Sequence, residues 1–416
     1  MLKIKQIIRR FAFEEWGGTE TVVWNTSRKL IQKGHKTEIL ATKALSGVSN
    51  EDNEDIPIKR FNYFYPYLNL KKENIRVLDK KGGNPYSYPL YNYMMKDNDI
   101  DILHSHTMQR IANTVRLVAL KKKIPYVVSF HGGFFEVPQS EIDEMMKPLK
   151  KTFNYGKIFD IILKKDRYLE DVDGIICVGY NEYLSTKEKY PKKIVEYLPN
   201  GVNINKFKTN AKNDFREKYG IPQNTEILIC ISRIDYQKNQ VKIIELHNEL
   251  KKKGEKMHTV IIGPVTSQKY FDKIKSKIEE YSLQNEVTLI KGLQNDDPDL
   301  INAFNTANFF ILPSIHEPFG IVALEAWASR LPIIAHHVGG LQKLITENKT
   351  GMFFRDNSLE DLVETFYNLR ENKDSIIKNA YEEVCAKYSW DIITDKLIAF
   401  YEKVIVKNKE IWQIKK

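Results

Sequence analysis

Cysteine is scarce in this sequence, with three residues among 416. Cys177, Cys230 and Cys385 are odd in number, lie far apart and each fall in an apolar stretch. That distribution excludes the disulfide framework of a small secreted domain. It predicts buried free thiols in a reducing compartment.

Long apolar runs are also missing. No stretch approaches the roughly 20 apolar residues that a membrane-spanning helix needs. The first ten residues, MLKIKQIIRR, place charge inside the apolar segment rather than before it, which is not the order of a signal peptide. We therefore expect a cytoplasmic protein, and peripheral association with the inner face of the membrane is left open.

The usual patterns of bound cofactors are absent as well. The chain has no G-x-G-x-x-G turn, which disfavours NAD and related dinucleotides. His104 and His106 alternate at a predicted strand end, but no third metal ligand is near them in the sequence. Asp99 and Asp101 mimic a metal-binding pair yet precede their strand, which favours a turn or a helix cap. We expect no cofactor and no metal.

Acidic residues are fewer than basic ones, 54 against 64, which leaves a formal net charge of +10. Such an excess predicts an anionic partner. The basic residues are spread over predicted helices without the interleaved aromatics or zinc ligands of nucleic-acid modules, so nucleic acid is disfavoured. An anionic small-molecule ligand together with a membrane that carries anionic lipid explains the charge more simply.

Short apolar runs alternate with amphipathic segments along the whole chain, which predicts parallel, doubly wound α/β sheets. The length suits two domains. Pro199 and the turn at Asn200-Gly201 mark a boundary, so we predict domains at 1–198 and 199–389. A helix with one apolar face is predicted from 390 to 404, and the tail from 407 to 416 is predicted to be frayed and basic. The predicted strands are residues 4–8, 37–41, 56–61, 102–105, 126–130, 174–178, 194–198, 226–232, 258–262, 287–290, 308–312, 332–335 and 352–354.

The stretch from 311 to 354 organises the second half. A buried strand ends at Pro313, a polar loop contains Glu317, and the following predicted helix contains Glu325. Parallel sheets bind ligands beyond the carboxyl ends of their strands, and the start of a helix suits a phosphate. Because carboxylates at the same place would repel a phosphate, these two acids predict a ligand that also donates hydrogen bonds, as sugar hydroxyls do.

Two cations follow the first strand of the second half. Arg233 and Lys238 are therefore predicted at the same edge of the sheet as Glu317. Fixed cations of this kind can hold a diphosphate and stabilise the charge that it gains as a leaving group. A pair of surface salt bridges is the alternative.

Candidate ligand contacts in the first half lie in two strand-to-helix turns. Gly17 and Gly18 follow the first predicted strand, where glycine lets a ligand approach the backbone and the helix start favours anions. A simple tight turn is the alternative. His131 follows a predicted strand directly and precedes a Gly-Gly pair, so it should lie at the carboxyl edge of its sheet. A purely structural histidine is the alternative there.

The motif EPFG at 317–320, LEA at 324–326 and Gly339-Gly340 together resemble the donor-binding signature of glycosyltransferase family 4. This resemblance implies a GT-B fold, two Rossmann-like domains facing a central cleft. It also implies a metal-independent, retaining transfer of a sugar from a nucleoside-diphosphate donor to a glycan, a glycolipid or a small molecule. The helix from 390 to 416 would cross back onto the first domain.

The resemblance also implies roles for individual residues. Arg233 and Lys238 would hold the diphosphate, and Glu325 would accept the ribose hydroxyls. The backbone at Phe319, Gly320 and Ile321 would reach phosphate and sugar. The resemblance further implies that Glu317 and His131 hold the hydroxyls of the sugar, and that Gly17 and Gly18 face the donor phosphate and the acceptor. The chain departs from the family at Arg330, where glycine usually caps the helix.

Three alternatives stay open. The fold would also suit a nucleotide-sugar epimerase, a phosphorylase with a pyridoxal-phosphate lysine, or a non-catalytic sugar-nucleotide-binding protein.

The segment 145–167 carries seven Lys or Arg against two Asp, interleaved with apolar residues. It is predicted to be a basic amphipathic segment, either at an anionic bilayer surface or as a solvated cover of the sheet. The oligomeric state, the donor base and the acceptor are not predicted.

Overall fold

The computed structural model describes residues 1–132, 139–207, 214–293 and 297–414. The chain divides into two compact units. Unit 1 comprises Met1–Pro199 and Trp390–Lys416, and unit 2 comprises Asn200–Ser389. The boundary between the two units follows Pro199, one residue beyond the end at 198 that we predicted from the Pro-Asn-Gly turn.

Unit 1 is built on an eight-stranded sheet in the order β10-β9-β7-β6-β1-β2-β4-β3. The pairs are parallel except for the edge pair β3–β4, which is antiparallel. A separate two-stranded antiparallel ribbon joins β5 to β8. The strands are β1 Lys3–Arg10, β2 Lys36–Thr42, β3 Asn50–Asn53, β4 Ile56–Phe61, β5 Tyr67–Leu68, β6 Ile102–Ser105, β7 Tyr126–Phe130, β8 Phe153–Asn154, β9 Gly174–Cys177 and β10 Ile194–Tyr197.

Helices of unit 1 lie between these strands, and the last one is formed by the end of the chain. They are α1 Gly18–Gln32, α2 Lys72–Lys80, α3 Tyr88–Lys96, α4 Gln109–Lys122, α5 Gln139–Met146, α6 Gly156–Ile162, α7 Tyr180–Lys189 and α15 Trp390–Ile414. The apolar face of α15, with Trp390, Leu397 and Tyr401, is buried in one cluster with Ile4 of β1 and Val22 of α1. This burial explains why the chain returns to unit 1.

Unit 2 has a six-stranded, fully parallel sheet in the order β13-β12-β11-β14-β15-β16. Its strands are β11 Glu226–Ile231, β12 Met257–Ile262, β13 Val287–Ile290, β14 Phe309–Leu312, β15 Ile333–His336 and β16 Met352–Phe354. Its helices are α8 Asp214–Lys218, α9 Val241–Lys252, α10 Gln268–Glu280, α11 Pro298–Thr306, α12 Ile321–Ala328, α13 Leu341–Leu344 and α14 Leu359–Lys387.

Both faces of the unit 2 sheet are covered, which is why its strands are apolar at nearly every position. Ile229 and Phe310 face a cluster that includes Trp327 of α12. Leu228 and Phe309 face the opposite cluster, which includes Phe366 of α14. Neighbouring residues of one strand thus enter different layers, as alternation of side chains along a strand requires. The predicted doubly wound architecture is confirmed.

Several predictions from the sequence need correction. The tail from 407 to 416 was predicted to be frayed, but it is helical as far as Ile414, where α15 ends. The edge strand β3 lies in a stretch where no strand was predicted. The segment 145–167 is not one amphipathic element, since it is divided among the end of α5, the strand β8, the helix α6 and two short 3₁₀ turns. The three cysteines are free, as predicted, but Cys385 is only half-buried.

None of the helices in the described ranges is both long enough and apolar enough to cross a membrane.

Candidate functional site

The strand order of unit 2 reverses between β11 and β14, since connections run outward from β11 on one side and from β14 on the other. Open parallel sheets bind ligands at such a switch point, beyond the carboxyl ends of the strands. The loop after β11 carries Arg233 and Lys238, and the loop after β14 carries Glu317. The topology of the sheet therefore brings these predicted site residues to one edge.

The loop after β11 is held by its own side chains. Asp235 accepts hydrogen bonds at Oδ1 from the backbone N–H groups of Gln237 and Lys238, at 3.1 and 3.2 Å. The amide of Gln240 donates to the Arg233 carbonyl at 2.7 Å. The Arg233 side chain, 38% exposed, donates to Gln237 Oε1 at 3.0 Å. These contacts fix the backbone while leaving much of the guanidinium open to a ligand.

Lys238 and Glu317 form an ion pair. The ammonium lies 2.7 Å from Glu317 Oε2, and the two side chains are only 12% and 11% exposed. Their loops are also joined through the backbone, because Ile315 N donates to Gln237 O at 2.8 Å. A pair this shielded from water is strongly coupled, so removal of one partner leaves the other charge without compensation.

The Glu317 loop rests on the Gly339-Gly340 turn. Gly340 N donates to Glu317 O at 2.8 Å. A Cβ on Gly339 would lie 2.3 Å from Glu317 O, and one on Gly340 would lie 2.0 Å from Pro318 O. Any side chain at either position would push the Glu317 loop away. This close approach is the physical reason for two adjacent glycines here.

The start and the end of α12 both need a left-handed residue. Gly320 precedes Ile321 at φ +91° and begins the helix, and Phe319 beside it is buried. Arg330 follows the helix at φ +59°, so this arginine adopts the conformation that glycine would take in the family. Its guanidinium lies 3.7 Å from the centroid of the Tyr381 ring, and this contact offsets part of the backbone strain.

Glu325 lies in α12, and burial raises the pKa of its carboxyl to about 7, with Lys206 acting in the opposite direction. Within the described ranges no hydrogen bond to this carboxylate is seen. The Glu325 side chain is half-buried, and its carboxylate oxygens are not among the buried polar atoms without a partner, so a ligand can reach them. The position is suited to a ligand that supplies hydroxyl groups.

In unit 1, Gly17 and Gly18 begin α1, but a carboxylate of the protein already occupies the N-terminal end of this helix. Glu20 lies in the first turn and pairs with Arg10 at 3.2 Å. Burial raises the pKa of Glu20, whereas Arg10 and the backbone N–H groups of Glu20 and Gly17 lower it. An anion at this turn would therefore compete with a carboxylate of the protein. That the turn meets a donor phosphate stays a prediction.

His131 ends a chain of hydrogen bonds at the carboxyl edge of the unit 1 sheet. Its Nε2 lies 3.0 Å from His106 Nδ1, and His106 Nε2 lies 2.6 Å from Gln6 Oε1. His104 joins the same group, with Nδ1 2.6 Å from the Tyr401 hydroxyl and Nε2 2.6 Å from Ser129 Oγ. Side chains from β1, β6, β7 and α15 thus form one buried network.

The network determines where the protons lie. With the Gln6 amide oxygen placed toward His106, we assign the His106 proton to Nε2, and His131 then donates from its Nε2 to His106 Nδ1. The remaining nitrogen of His131, Nδ1, is an acceptor. Burial lowers the pKa of His131 to about 4 and that of His104 to about 3, and it lowers the pKa of His106 well below its usual value. The three imidazoles are therefore neutral at physiological pH.

The structure brings Lys238 into contact with Glu317, and it places Arg233, Phe319, Gly320, Ile321 and Glu325 on the loops and helix around them. Gly17, Gly18 and His131 belong to the other unit. The interpretation of the sequence missed the residues that hold these side chains and loops in place. They are Gln6, Ser129 and Tyr401 in the histidine network of unit 1, and Asp235, Gln237 and Gln240 in the loop after β11 of unit 2. For Gln6 the signal was available, because a glutamine inside an apolar central strand needs a partner. Among the described residues no cluster of three His, Cys, Asp or Glu could hold a metal ion.

Comparison with known families matches residues 16–206 to "Glycosyltransferase Family 4" and residues 211–383 to "Glycosyl transferases group 1". An uncharacterised glycosyltransferase of Methanocaldococcus jannaschii is 28% identical over 73% of this chain and 75% of its own length. The alpha-monoglucosyldiacylglycerol synthase of Acholeplasma laidlawii is 23% identical over 94% of this chain and 95% of its own.

Solved structures agree on the fold. A glycosyltransferase from Rickettsia africae matches with a TM-score of 0.71 at 20% identity, covering 97% of this chain and 98% of that one. An Anabaena protein solved with UDP-glucose matches with a TM-score of 0.69 at 15% identity, covering 97% and 100%. The GT-B fold class is thereby confirmed. The two family matches, which meet near the boundary between the units, show that the chain belongs to glycosyltransferase family 4 and is an enzyme of the hexosyltransferase type.

Proposed function

We propose that the enzyme transfers a sugar from a nucleoside-diphosphate donor to a hydroxyl group, with retention of anomeric configuration and without a metal ion. The observation that carries the donor assignment is the meeting of Arg233, Lys238 and Glu317 at the switch point of the unit 2 sheet. Cations and a carboxylate at one edge suit a ligand that combines phosphate with hydroxyl groups.

The two cations would serve the diphosphate. Arg233 is partly exposed and already oriented by Gln237, so it can form paired hydrogen bonds to phosphate oxygens. Lys238 must divide its charge between the diphosphate and Glu317. As the bond to the sugar breaks, the diphosphate gains negative charge, and preorganised cations then stabilise the transition state more than the ground state.

Glu325 would hold the ribose. Two hydroxyl groups that donate to one carboxylate replace the solvation that burial removed, so ribose binding favours the ionised form. A nucleoside diphosphate should therefore release a proton when it binds near pH 7. Glu317 would receive sugar hydroxyls in the same way, with its negative charge balanced by Lys238.

The role of His131 rests on the family resemblance and on its tautomer. Its Nδ1 is an acceptor, and its neutrality suits contact with a neutral sugar rather than with the diphosphate. Both same-face substitution and a covalent intermediate at Glu317 agree with retention. Trapping of a glycosyl-enzyme at Glu317 would distinguish these two routes.

The acceptor is proposed from the relatives. The names of two matched enzymes, the alpha-monoglucosyldiacylglycerol synthase and a phosphatidylinositol monomannoside mannosyltransferase, denote a product and an acceptor that carry lipid. A glycolipid is therefore favoured over a glycan or a small molecule, and action at the inner face of the membrane follows from that choice.

A thermal-shift panel tests the donor assignment. The protein would be heated with UDP, GDP, ADP and their sugar conjugates, with and without EDTA. A ligand at a hundred times its dissociation constant adds about 2.7 kcal/mol to the folded state. We expect one nucleoside diphosphate to stabilise the wild-type enzyme equally in EDTA, and Glu325→Gln to lose that shift. Strict dependence on a divalent metal, or equal stabilisation of the variant, would contradict the proposal.

A further inference from the structure

The helix α6 of unit 1 exposes its apolar side to solvent. Ile161 is 77% exposed, Ile162 67% and Ile158 59%, and Phe159 is also exposed. Surface helices normally bury such residues and expose polar ones. A helix that does the reverse presents a contiguous apolar surface, which in soluble proteins marks a site of interaction.

The orientation of α6 is set by its one carboxylate. Asp160 points into unit 1, where its Oδ1 accepts from Arg110 Nε at 2.9 Å and from the Tyr86 hydroxyl at 2.6 Å, and its Oδ2 accepts from Arg110 Nη2 at 2.9 Å. The Arg110 side chain is 1% exposed. This buried paired contact fixes the polar side inward, and the isoleucines must therefore point outward.

The small β5–β8 ribbon, whose strand β8 directly precedes α6 in the chain, also exposes two apolar residues. Phe153 of β8 precedes α6 and is 64% exposed, and its register partner on β5, Leu68, is also exposed. The ring of Phe159 contacts the ring of Tyr86, with centroids 6.1 Å apart. We call Leu68, Phe153, Ile158, Phe159, Ile161 and Ile162 the apolar patch.

Exposed lysines flank the apolar patch along the same segment. They have no ion-pair partner within the described ranges, unlike Lys165, which lies 3.9 Å from Asp160. They are Lys147, Lys150, Lys151, Lys157 and Lys164. Apolar residues beside uncompensated lysines are typical of surfaces that insert side chains below the headgroups of an anionic bilayer.

We propose that the apolar patch and its flanking lysines dock unit 1 on a membrane that contains anionic lipid. The isoleucines and aromatics enter the interface, and the lysines contact lipid phosphates. A protein partner is less suited to this surface, because lysine is depleted in protein interfaces. The biological purpose, access to a lipid-linked acceptor, rests on the proposed function, but the docking itself does not.

The test is flotation of the full chain with vesicles of phosphatidylcholine alone or with phosphatidylglycerol added. We expect binding only to the anionic vesicles. The combined variant Ile158→Ser, Ile161→Ser, Ile162→Ser should lower the partition coefficient at least about tenfold, as should Lys150→Gln, Lys151→Gln, Lys157→Gln. Should the triple isoleucine variant fail to fold by circular dichroism, Ile161→Ser alone should lower it about threefold.

Matched controls replace equally exposed residues elsewhere. Val48→Ser, Leu184→Ser, Val406→Ser removes three exposed apolar side chains of unit 1, and Lys253→Gln, Lys273→Gln, Lys349→Gln removes three charges of unit 2. Both should bind anionic vesicles within about twofold of the wild type. Equal binding to neutral vesicles, or wild-type binding by the isoleucine variant, would overturn the proposal.

A second copy of the chain is the main competing occupant. Sedimentation of the wild type without lipid distinguishes it, because a dimer that the isoleucine variant abolishes, together with no vesicle binding, would overturn membrane docking. The thermal shift with nucleoside diphosphates should be the same in all variants. Its absence in the wild type would contradict the donor assignment while leaving the vesicle result unaffected.

Discussion

The loops after β11 and β14 of unit 2 and those after β6 and β7 of unit 1 carry side chains of different character. In unit 2, after β11 and β14, the groups are acids and cations: Lys238 pairs with Glu317, and Glu325 is a half-buried acid without a hydrogen-bond donor within the described ranges. In unit 1, after β6 and β7, the polar groups are imidazoles that burial keeps neutral. Two sheets of the same architecture thus present two different chemistries.

This difference indicates how the parts of a nucleotide sugar could be recognised. A diphosphate needs cations, and a leaving group needs cations that are already in place. A hexose is neutral and needs donors and acceptors of fixed geometry. We interpret the unit 2 edge as the site for the charged part of the donor. The unit 1 edge has the properties that recognition of a neutral sugar requires.

The largest expected effect is that of Lys238→Ala on turnover. Loss of this cation removes charge stabilisation of the leaving group, which should raise the barrier by roughly 2–4 kcal/mol. Turnover at saturating donor should then fall at least about a hundredfold. Lys253→Ala, an exposed lysine beyond the end of α9, is the control and should keep the normal rate. A near-normal rate for Lys238→Ala would contradict the assignment of the unit 2 edge to the charged part of the donor, because Lys238 would then not act on the leaving group.

Glu325→Gln should raise stability and abolish donor binding. The folded-state pKa is about 7, above the ordinary value for glutamate, so the buried carboxyl stabilises the fold fully below about pH 4.5, and this contribution is lost as the pH rises to 7. The glutamine amide of the variant does not ionise, so the variant does not lose this stability as the pH rises. At pH 8 we expect the variant to gain roughly 2–3 kcal/mol over the wild type, and at pH 4.5 almost nothing.

Calorimetry of both proteins at pH 4.5, 6 and 8 measures this gain. The histidines of unit 1 have the opposite sign, because their lowered pKa values give stability that is present above about pH 6.5 and lost as the pH falls toward 4. A gain from Glu325→Gln that did not depend on pH would show that charge burial is not its cause.

The charged edge was largely predictable from the sequence, whereas the neutral edge was not. Arg233, Lys238 and Glu317 follow apolar strands directly, so their positions depend only on local order along the chain and on parallel pairing. The partners of His131 come from residues 6, 106, 129 and 401, and no local pattern connects these positions. Such contacts appear only when the strand order and the return of α15 are known.

Missed elements have a similar cause. The strand β3 is polar, NEDN, because it lies at the sheet edge and buries almost nothing, so it shows no apolar periodicity. In 145–167 the apolar residues were predicted to mark one amphipathic element. In α6 they point outward because Asp160 is held by Arg110, which is distant in the sequence.

A smaller effect is expected for Tyr401→Phe. This change removes the hydroxyl that lies 2.6 Å from His104 Nδ1 and leaves that buried nitrogen without its partner, which should lower the stability of unit 1 by about 1–3 kcal/mol. Tyr190→Phe is the control, since no hydrogen bond to its hydroxyl is seen in the described ranges. Nucleoside-diphosphate affinity should be unchanged in both. A loss of affinity in Tyr401→Phe would mean that the neutral network also affects the charged edge.

The smallest and most selective effect is expected for His131→Ala. If the unit 1 edge recognises only the neutral part of the donor, removal of one neutral acceptor should weaken the nucleotide sugar by about 0.5–1.5 kcal/mol, or roughly twofold to tenfold. The nucleoside diphosphate alone should bind within about twofold of the wild type. Titration calorimetry with both ligands measures the ratio of the two affinities. Equal weakening of both ligands would mean that His131 acts on the phosphate or on the fold, because only a contact with the sugar can change that ratio.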